Sequence, residues 1–161
     1  YETIIDNQQK EITLFIVKLM TSPLSAEESA EGQTYMKVAD ELESVSDYLE
    51  RITLYTRRDD FKDVLVGEAK EDFFKFFNEV EAFYEESSEG LMELGSIDLS
   101  VIHRKSEELR QKAARIRKRH LLRVSENVYK PLTALTYSDL IVALRKIRAH
   151  SENISEAQHI E

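Results

Sequence analysis

The chain contains no cysteine, so neither disulfides nor thiolate metal sites can carry its fold or chemistry, and any metal must be held by oxygen or imidazole. A reducing compartment fits that composition. With 2 prolines and 4 glycines in 161 residues, the punctuation of a sheet-rich protein is missing too. No apolar stretch approaches the roughly 20 residues that span a bilayer, and Tyr1 to Asp6 lack the basic region and apolar run of a secretory signal. What is abundant is charge, at 33% of residues, which favours long helices. All-α is therefore the expected class, and the length suits one domain with its own core. The first residue is Tyr1 rather than methionine, from which we expect a piece of a larger polypeptide whose remainder could be a membrane protein.

The formal net charge of −9 argues against a general affinity for nucleic acid, because phosphate contacts need clustered Lys and Arg. The charge is uneven. Between Ile97 and Arg123 nine Lys/Arg face three Asp/Glu, a local +6 that leaves −15 for the rest. The expected partner of that basic segment is an acidic helix of the same bundle.

Five helices follow from apolar spacing of three and four. The first spans Glu2 to Met20 with Ile5, Ile12, Phe15, Ile16 and Leu19 on its stripe, and Thr21, Ser22 and Pro23 stop it. Ser25 and Glu28 form a capping box that opens a second helix to about Arg58, striped by Met36, Ala39, Leu42, Val45, Leu49 and Ile52. The third begins between Phe61 and Glu68, carries Phe73, Phe76, Phe77, Val80, Phe83 and Tyr84, and ends between Gly90 and Gly95. A fourth opens at Ser96 or Asp98 and runs to about Asn127, with Ile102, Leu109, Ala113, Ile116, His120 and Val124 inward. Pro131 starts the fifth, which ends near Gln158. Short connections make neighbours antiparallel, so an elongated antiparallel helical bundle is expected.

Asp40, Glu43, Asp47 and Glu50 place four carboxylates along one helix face. Each like-charged neighbour pair costs a helix roughly 0.2–0.5 kcal/mol, so the line calls for solvent, opposing Arg/Lys or a bound cation. A solvated or salt-bridged face is the plain explanation. The sharper one is a metal site, which needs a second acidic helix opposite, and the first helix offers Glu2 and Asp6, four apart.

Other chemistry is sparse. Glu156 and His159 make a single Glu-x-x-His near a chain end, whereas a di-iron bundle uses two such motifs with further inward glutamates. His120 lies on an apolar stripe and reads as a packed, hydrogen-bonded histidine; His150 falls at the polar edge of its helix and His103 is expected in solvent. No serine neighbours a histidine in a nucleophile setting and no glycine-rich loop could cradle a phosphate, so no enzyme is expected. Phe73, Phe74, Phe76 and Phe77 show apolar surface on more than one face, from core filling or from contact with a second copy or another helix.

Two segments, Val38-Ala-Asp-Glu-Leu-Glu-Ser-Val-Ser-Asp-Tyr-Leu-Glu-Arg-Ile52 and Leu144-Arg-Lys-Ile-Arg-Ala-His-Ser-Glu-Asn-Ile-Ser-Glu156, resemble the repeated signature of the PhoU family. Arg119 to Val124, Pro131 and Tyr137 to Leu140, with Ile4 to Thr13 and Leu24 to Ser29, are similar to the PhoU-like tails of bacterial sodium/phosphate cotransporters. The resemblance implies two three-helix repeats within one domain: a partial first repeat at 1–60, lacking its first helix, and a complete second at 61–161. It implies a carboxylate metal site at Glu2, Asp6, Glu43 and Asp47 for iron, zinc or another divalent cation. In the second repeat Ser106, Arg110, Arg145 and Ala149 stand where the family places acids, so that site should be lost and arginine–carboxylate pairs should replace it.

The function implied is regulatory and not enzymatic: a cytosolic domain of a sodium-dependent phosphate transporter, tethered to the inner membrane in the full-length protein. Its partners would be the membrane domain of the same transporter and a second copy of itself, with no nucleic acid. A free-standing PhoU regulator of phosphate uptake and a purely structural or dimerising bundle are the competing expectations. A carboxylate-bridged metal oxidase lacks its second Glu-x-x-His.

Overall fold

In the computed structural model, which describes residues 2–59, 61–89, 91, 98–126 and 129–159, the chain is all-helical and has no strand among those residues. Helix α1 spans Glu2–Leu19, α2 Ala26–Thr56, α3 Phe61–Val64, α4 Gly67–Glu89, α5 Leu99–Ser125 and α6 Pro131–Gln158. At 31 residues α2 is about 46 Å long at the usual rise of an α-helix. Among the described residues no helix is long and apolar enough to cross a membrane.

Local chemistry sets most of these ends. The Ser25 hydroxyl accepts from the Glu28 amide at 3.1 Å while the Glu28 carboxylate accepts from the Ser25 amide at 2.8 Å. That reciprocal bonding holds the Glu28 carboxyl below its ordinary pKa. Asp98 caps α5 through the Ser100 hydroxyl and amide, and these bonds likewise lower its pKa. Pro131 occupies the first turn of α6. Ser96, Gly90, Gly95 and Asn127, named above as boundary residues, lie outside the described residues.

The third expected helix is α4, which starts at Gly67, inside the expected range of Phe61 to Glu68, and a separate single turn, α3, precedes it with Leu65 and Val66 between them. Gly67 itself has a φ of +50°, in the left-handed region that glycine enters at little cost. Among the described residues, five long helices plus this turn make the bundle.

Helix α6 is the hub, packing against α2, α3, α4 and α5. One core runs through the four long helices α2, α4, α5 and α6, with Val45, Phe76, Val80, Ile116, Leu140 and Leu144 each at most 2% exposed. Of Phe73, Phe74, Phe76 and Phe77 in α4, Phe73 and Phe76 are buried and Phe77 packs against the core; Phe74, at 46% exposure, faces outward. Core filling thus accounts for three of them.

The basic segment pairs with an acidic helix, as its charge required. Along antiparallel α4 and α5, Asp72 meets Arg119, Glu79 meets Lys112 and Glu86 meets Lys105, each pair seven residues from the last. Seven residues are two helical turns, so one edge of each helix stays in register with the other.

Helix α1 departs from expectation. Its principal packing partner is α2, close enough that a Cβ on Gly32 would come within 3.2 Å of Ile16 Cγ2. Ile16 is buried, but Ile12, Phe15 and Leu19 of the same stripe are 43%, 63% and 46% exposed. One neighbouring helix covers only a narrow seam, and the wider apolar stripe of α1 would need two.

His120 is the packed histidine its setting suggested. It is 3% exposed, its ring lies 4.7 Å from that of Tyr137, and Nε2 donates to the Ala134 carbonyl at 2.9 Å. Nδ1 is buried without a hydrogen-bond partner among the described residues. Burial pushes its pKa below the ordinary 6.5, and the Arg123 charge adds to the effect. The native state therefore prefers neutral imidazole. Stability should be full above about pH 6.5 and should fall as pH drops toward the lowered native value, because the unfolded chain then binds a proton that the folded one refuses. Urea melts from pH 7 down to about pH 5 should show this loss, and in His120→Gln, which keeps a donor for Ala134, that part of the slope should vanish.

Candidate functional site

The antiparallel pairing of α1 and α2 brings Asp6 opposite Glu43 and Asp47, and one carboxylate oxygen from each lies within 4.8 Å of the other two. All three side chains are half-buried. Glu43 and Asp47 are four apart on one face of α2, and Asp6 answers them from the facing turn of α1. Glu2 opens α1, but its side chain lies outside the described residues.

The rest of the carboxylate line is divided by its surroundings. Asp40, one turn before Glu43, accepts from Gln9 Nε2 at 2.5 Å across the same helix pair, and Glu50 lies in solvent beyond the end of the contact. Among the described residues, no lysine or arginine pairs with Asp6 or Asp47. Carboxylates this close and partly removed from water repel one another, and a cation among them would offset that repulsion. An all-oxygen set of this kind suits a hard divalent ion or iron, and the chemistry of the donors therefore fits the group that the resemblance implies.

The opposite face of α2 carries a polar clasp that the spacing of acids alone does not reveal. Glu41 accepts from His150 Nδ1 at 2.7 Å and from Asn153 Nδ2 at 3.1 and 3.2 Å, while the His150 ring stacks on Tyr48 at 5.6 Å. His150 is thus half-buried between α2 and α6, and Glu41 is tied to the bundle centre.

In the second hairpin, α5 with α6, the four positions Ser106, Arg110, Arg145 and Ala149 form no acidic cluster. Ser106 is buried and accepts from Arg148, which also donates to Glu152 at 2.8 Å; Arg110 pairs instead with Glu107 one turn earlier on its own helix. The Arg110 guanidinium and then the Gln111 amide hold the Glu107 carboxyl down to about 2.

A second cluster lies further along the same helix pair. His103 of α5 and Glu152 and Glu156 of α6 bring one ligand atom each within 4.8 Å of the others, repeating the arrangement of one residue facing two that are a turn apart. His103 Nε2 lies 3.0 Å from Glu156, so the motif residue Glu156 turns to His103 rather than to His159. The Glu152/Glu156 spacing was visible in the sequence, but nothing there pointed to His103 across the interface. Because Glu152 is already paired with Arg148 and Glu156 with His103, this cluster is a satisfied polar seam.

Comparison with protein-family models, with curated proteins and with solved structures finds no match to this chain.

Proposed function

We propose that this chain is a non-enzymatic regulatory domain of the PhoU type, the cytosolic part of a sodium-dependent phosphate transporter, with a divalent-cation site at Asp6, Glu43 and Asp47. The observation that carries the reading is the meeting of these carboxylates across α1 and α2, at positions named from sequence spacing and resemblance alone. The exposed apolar residues of α1 support a partner at that face, for which the membrane domain of the same transporter is the occupant.

Bound between the two helices, a divalent cation would supply positive charge that offsets the mutual repulsion of the three acids. Its loss would push α1 from α2, and α1 has little other packing to hold it. That makes the hairpin the element whose docking a cation can switch.

The test is elemental analysis of the purified, tag-free domain together with thermal melts before and after chelation. The expected result is stoichiometric metal and a melting temperature that falls on chelation. A cation held at a hundred times its Kd adds about 2.7 kcal/mol, which is about 5–10 °C for a domain of this size. Glu43→Gln with Asp47→Asn should abolish both metal and shift. Unchanged metal content and melting temperature in that variant would remove the reading and leave a structural bundle held by its ion-pair ladder.

A further inference from the structure

The starts of α4 and α6 open onto one cavity of about 500 Å³. Gly67 brings the first turn of α4 to its wall, Lys130 and Thr133 bring that of α6, and Arg123 reaches in from the last turn of α5. Neither helix is capped by its own side chain. Lys130, at the N-cap of α6, makes no side-chain cap bond and has no acceptor with which to make one, and Val66, before Gly67, is hydrocarbon. The first amides of a helix have no carbonyl of their own to bond, and the aligned peptide dipoles leave about half a positive charge at each start.

Helix starts alone would say little, but a buried side chain at this wall is waiting for an acceptor. Thr133 is 2% exposed, lines the cavity, and its Oγ1 has no hydrogen-bond partner among the described residues. Arg123 is ion-paired but not fully hydrogen-bonded. Its side chain is 13% exposed, Asp72 lies 3.6 Å from Nη2 and Glu68 3.8 Å from Nη1, and neither Nε nor Nη2 makes a hydrogen bond. The carboxylate of Asp72 already receives two hydrogen bonds from Arg119. Buried donors left without acceptors are destabilising, more so when charged.

We propose that this cavity binds a phosphate-class oxyanion, held by Arg123, Thr133, Lys130 and the first-turn amides of α4 and α6. Every one of these groups donates and none is an obligate acceptor, which suits a tetrahedral anion with oxygens on several sides. Asp63 and Glu68 line the same cavity with the opposite sign. The Glu68 carboxylate, 85% exposed and 3.8 Å from Arg123, is a tethered competitor for the same charge. The site stands on these residues alone and does not depend on the cation reading of α1 and α2.

Titration of the whole domain at constant ionic strength, with amide chemical shifts as the readout, tests this with inorganic phosphate and phenyl phosphate as probes and acetate as comparator. Saturable one-to-one binding is expected, with shifts concentrated at Gly67, Glu68, Leu132 and Thr133. Thr133→Val, which keeps shape and removes the hydroxyl, should weaken binding about tenfold while the unliganded melting temperature holds or rises, because the hydroxyl it removes has no partner there. Glu68→Gln should tighten it. Saturation by phenyl phosphate alone would assign the phosphoryl end of a larger molecule rather than the free ion. No saturation by either probe, or binding that Thr133→Val and Lys130→Gln leave untouched, would overturn the proposal.

Discussion

Phe76→Ala is expected to cost the domain about 3–5 kcal/mol, the usual penalty for emptying a fully buried phenyl site. Phe76 is 0% exposed and sits where α4 enters the core shared by α5 and α6, together with Ile116, Leu140 and Leu144. Those residues lie on long helices packed into the same core, which limits how far they can move into the void. Against a total stability of about 5–15 kcal/mol, the loss is large, and the melting temperature should fall by about 10 °C or more. Phe74→Ala, two residues earlier on the same helix but 46% exposed, is the internal control and should stay within about 0.5–1 kcal/mol of the parent. Equal losses from the two variants in urea unfolding would mean that α4 is rotated relative to the packing described above.

The second large effect is electrostatic. Asp72→Ala should destabilise by about 2–3 kcal/mol, well beyond the usual worth of a surface pair, because it strips the partner from two arginines together. Asp72 accepts from Arg119 Nε at 3.0 Å and Nη2 at 2.5 Å and lies 3.6 Å from Arg123, whose side chain is only 13% exposed. The ladder's other end is different. Glu86 and Lys105 are 35% and 40% exposed at 2.6 Å, so water screens the pair and Glu86→Ala should cost under about 1 kcal/mol. Urea is the denaturant of choice, since guanidinium would screen the very charges under test. Salt should narrow the Glu86 loss more than the Asp72 loss. A flat response along the ladder would show that burial does not grade it.

Helix ends were the most legible feature of the chain. Ser25 with Glu28, Asp98 and Pro131 act within three residues of themselves, and the structure places each where that local chemistry requires. The start of α4 at Gly67 fell within the range read from the sequence, but the separate turn α3 before it was not legible, because a glycine permits the positive φ found at Gly67 without dictating it. The burial of α1 was misjudged for a different reason. Its apolar spacing shows which residues share a face, but whether Phe15 and Leu19 are covered depends on how many helices lie beside them.

The candidate site divides in the same way. That Glu43 and Asp47 share a face follows from their spacing, and Asp6 stands opposite them because the two helices are antiparallel. The linking of Asp40 to Gln9, Glu41 to His150 and Asn153, and Glu156 to His103 requires knowing the register between helices. By itself the sequence determined the all-helical class, the capped ends, the buried stripes of α4, α5 and α6 and most of that of α2, where Leu49 is instead 46% exposed, and the pairing of a basic helix with an acidic one. These follow from a periodicity and a charge that each segment carries alone. Only the tertiary structure decided which polar side chains meet across interfaces, how much of α1 is covered, and that two uncapped helix starts share a cavity with Thr133 and Arg123. Rotation and register of a helix against its neighbours are set by the packing of the whole core.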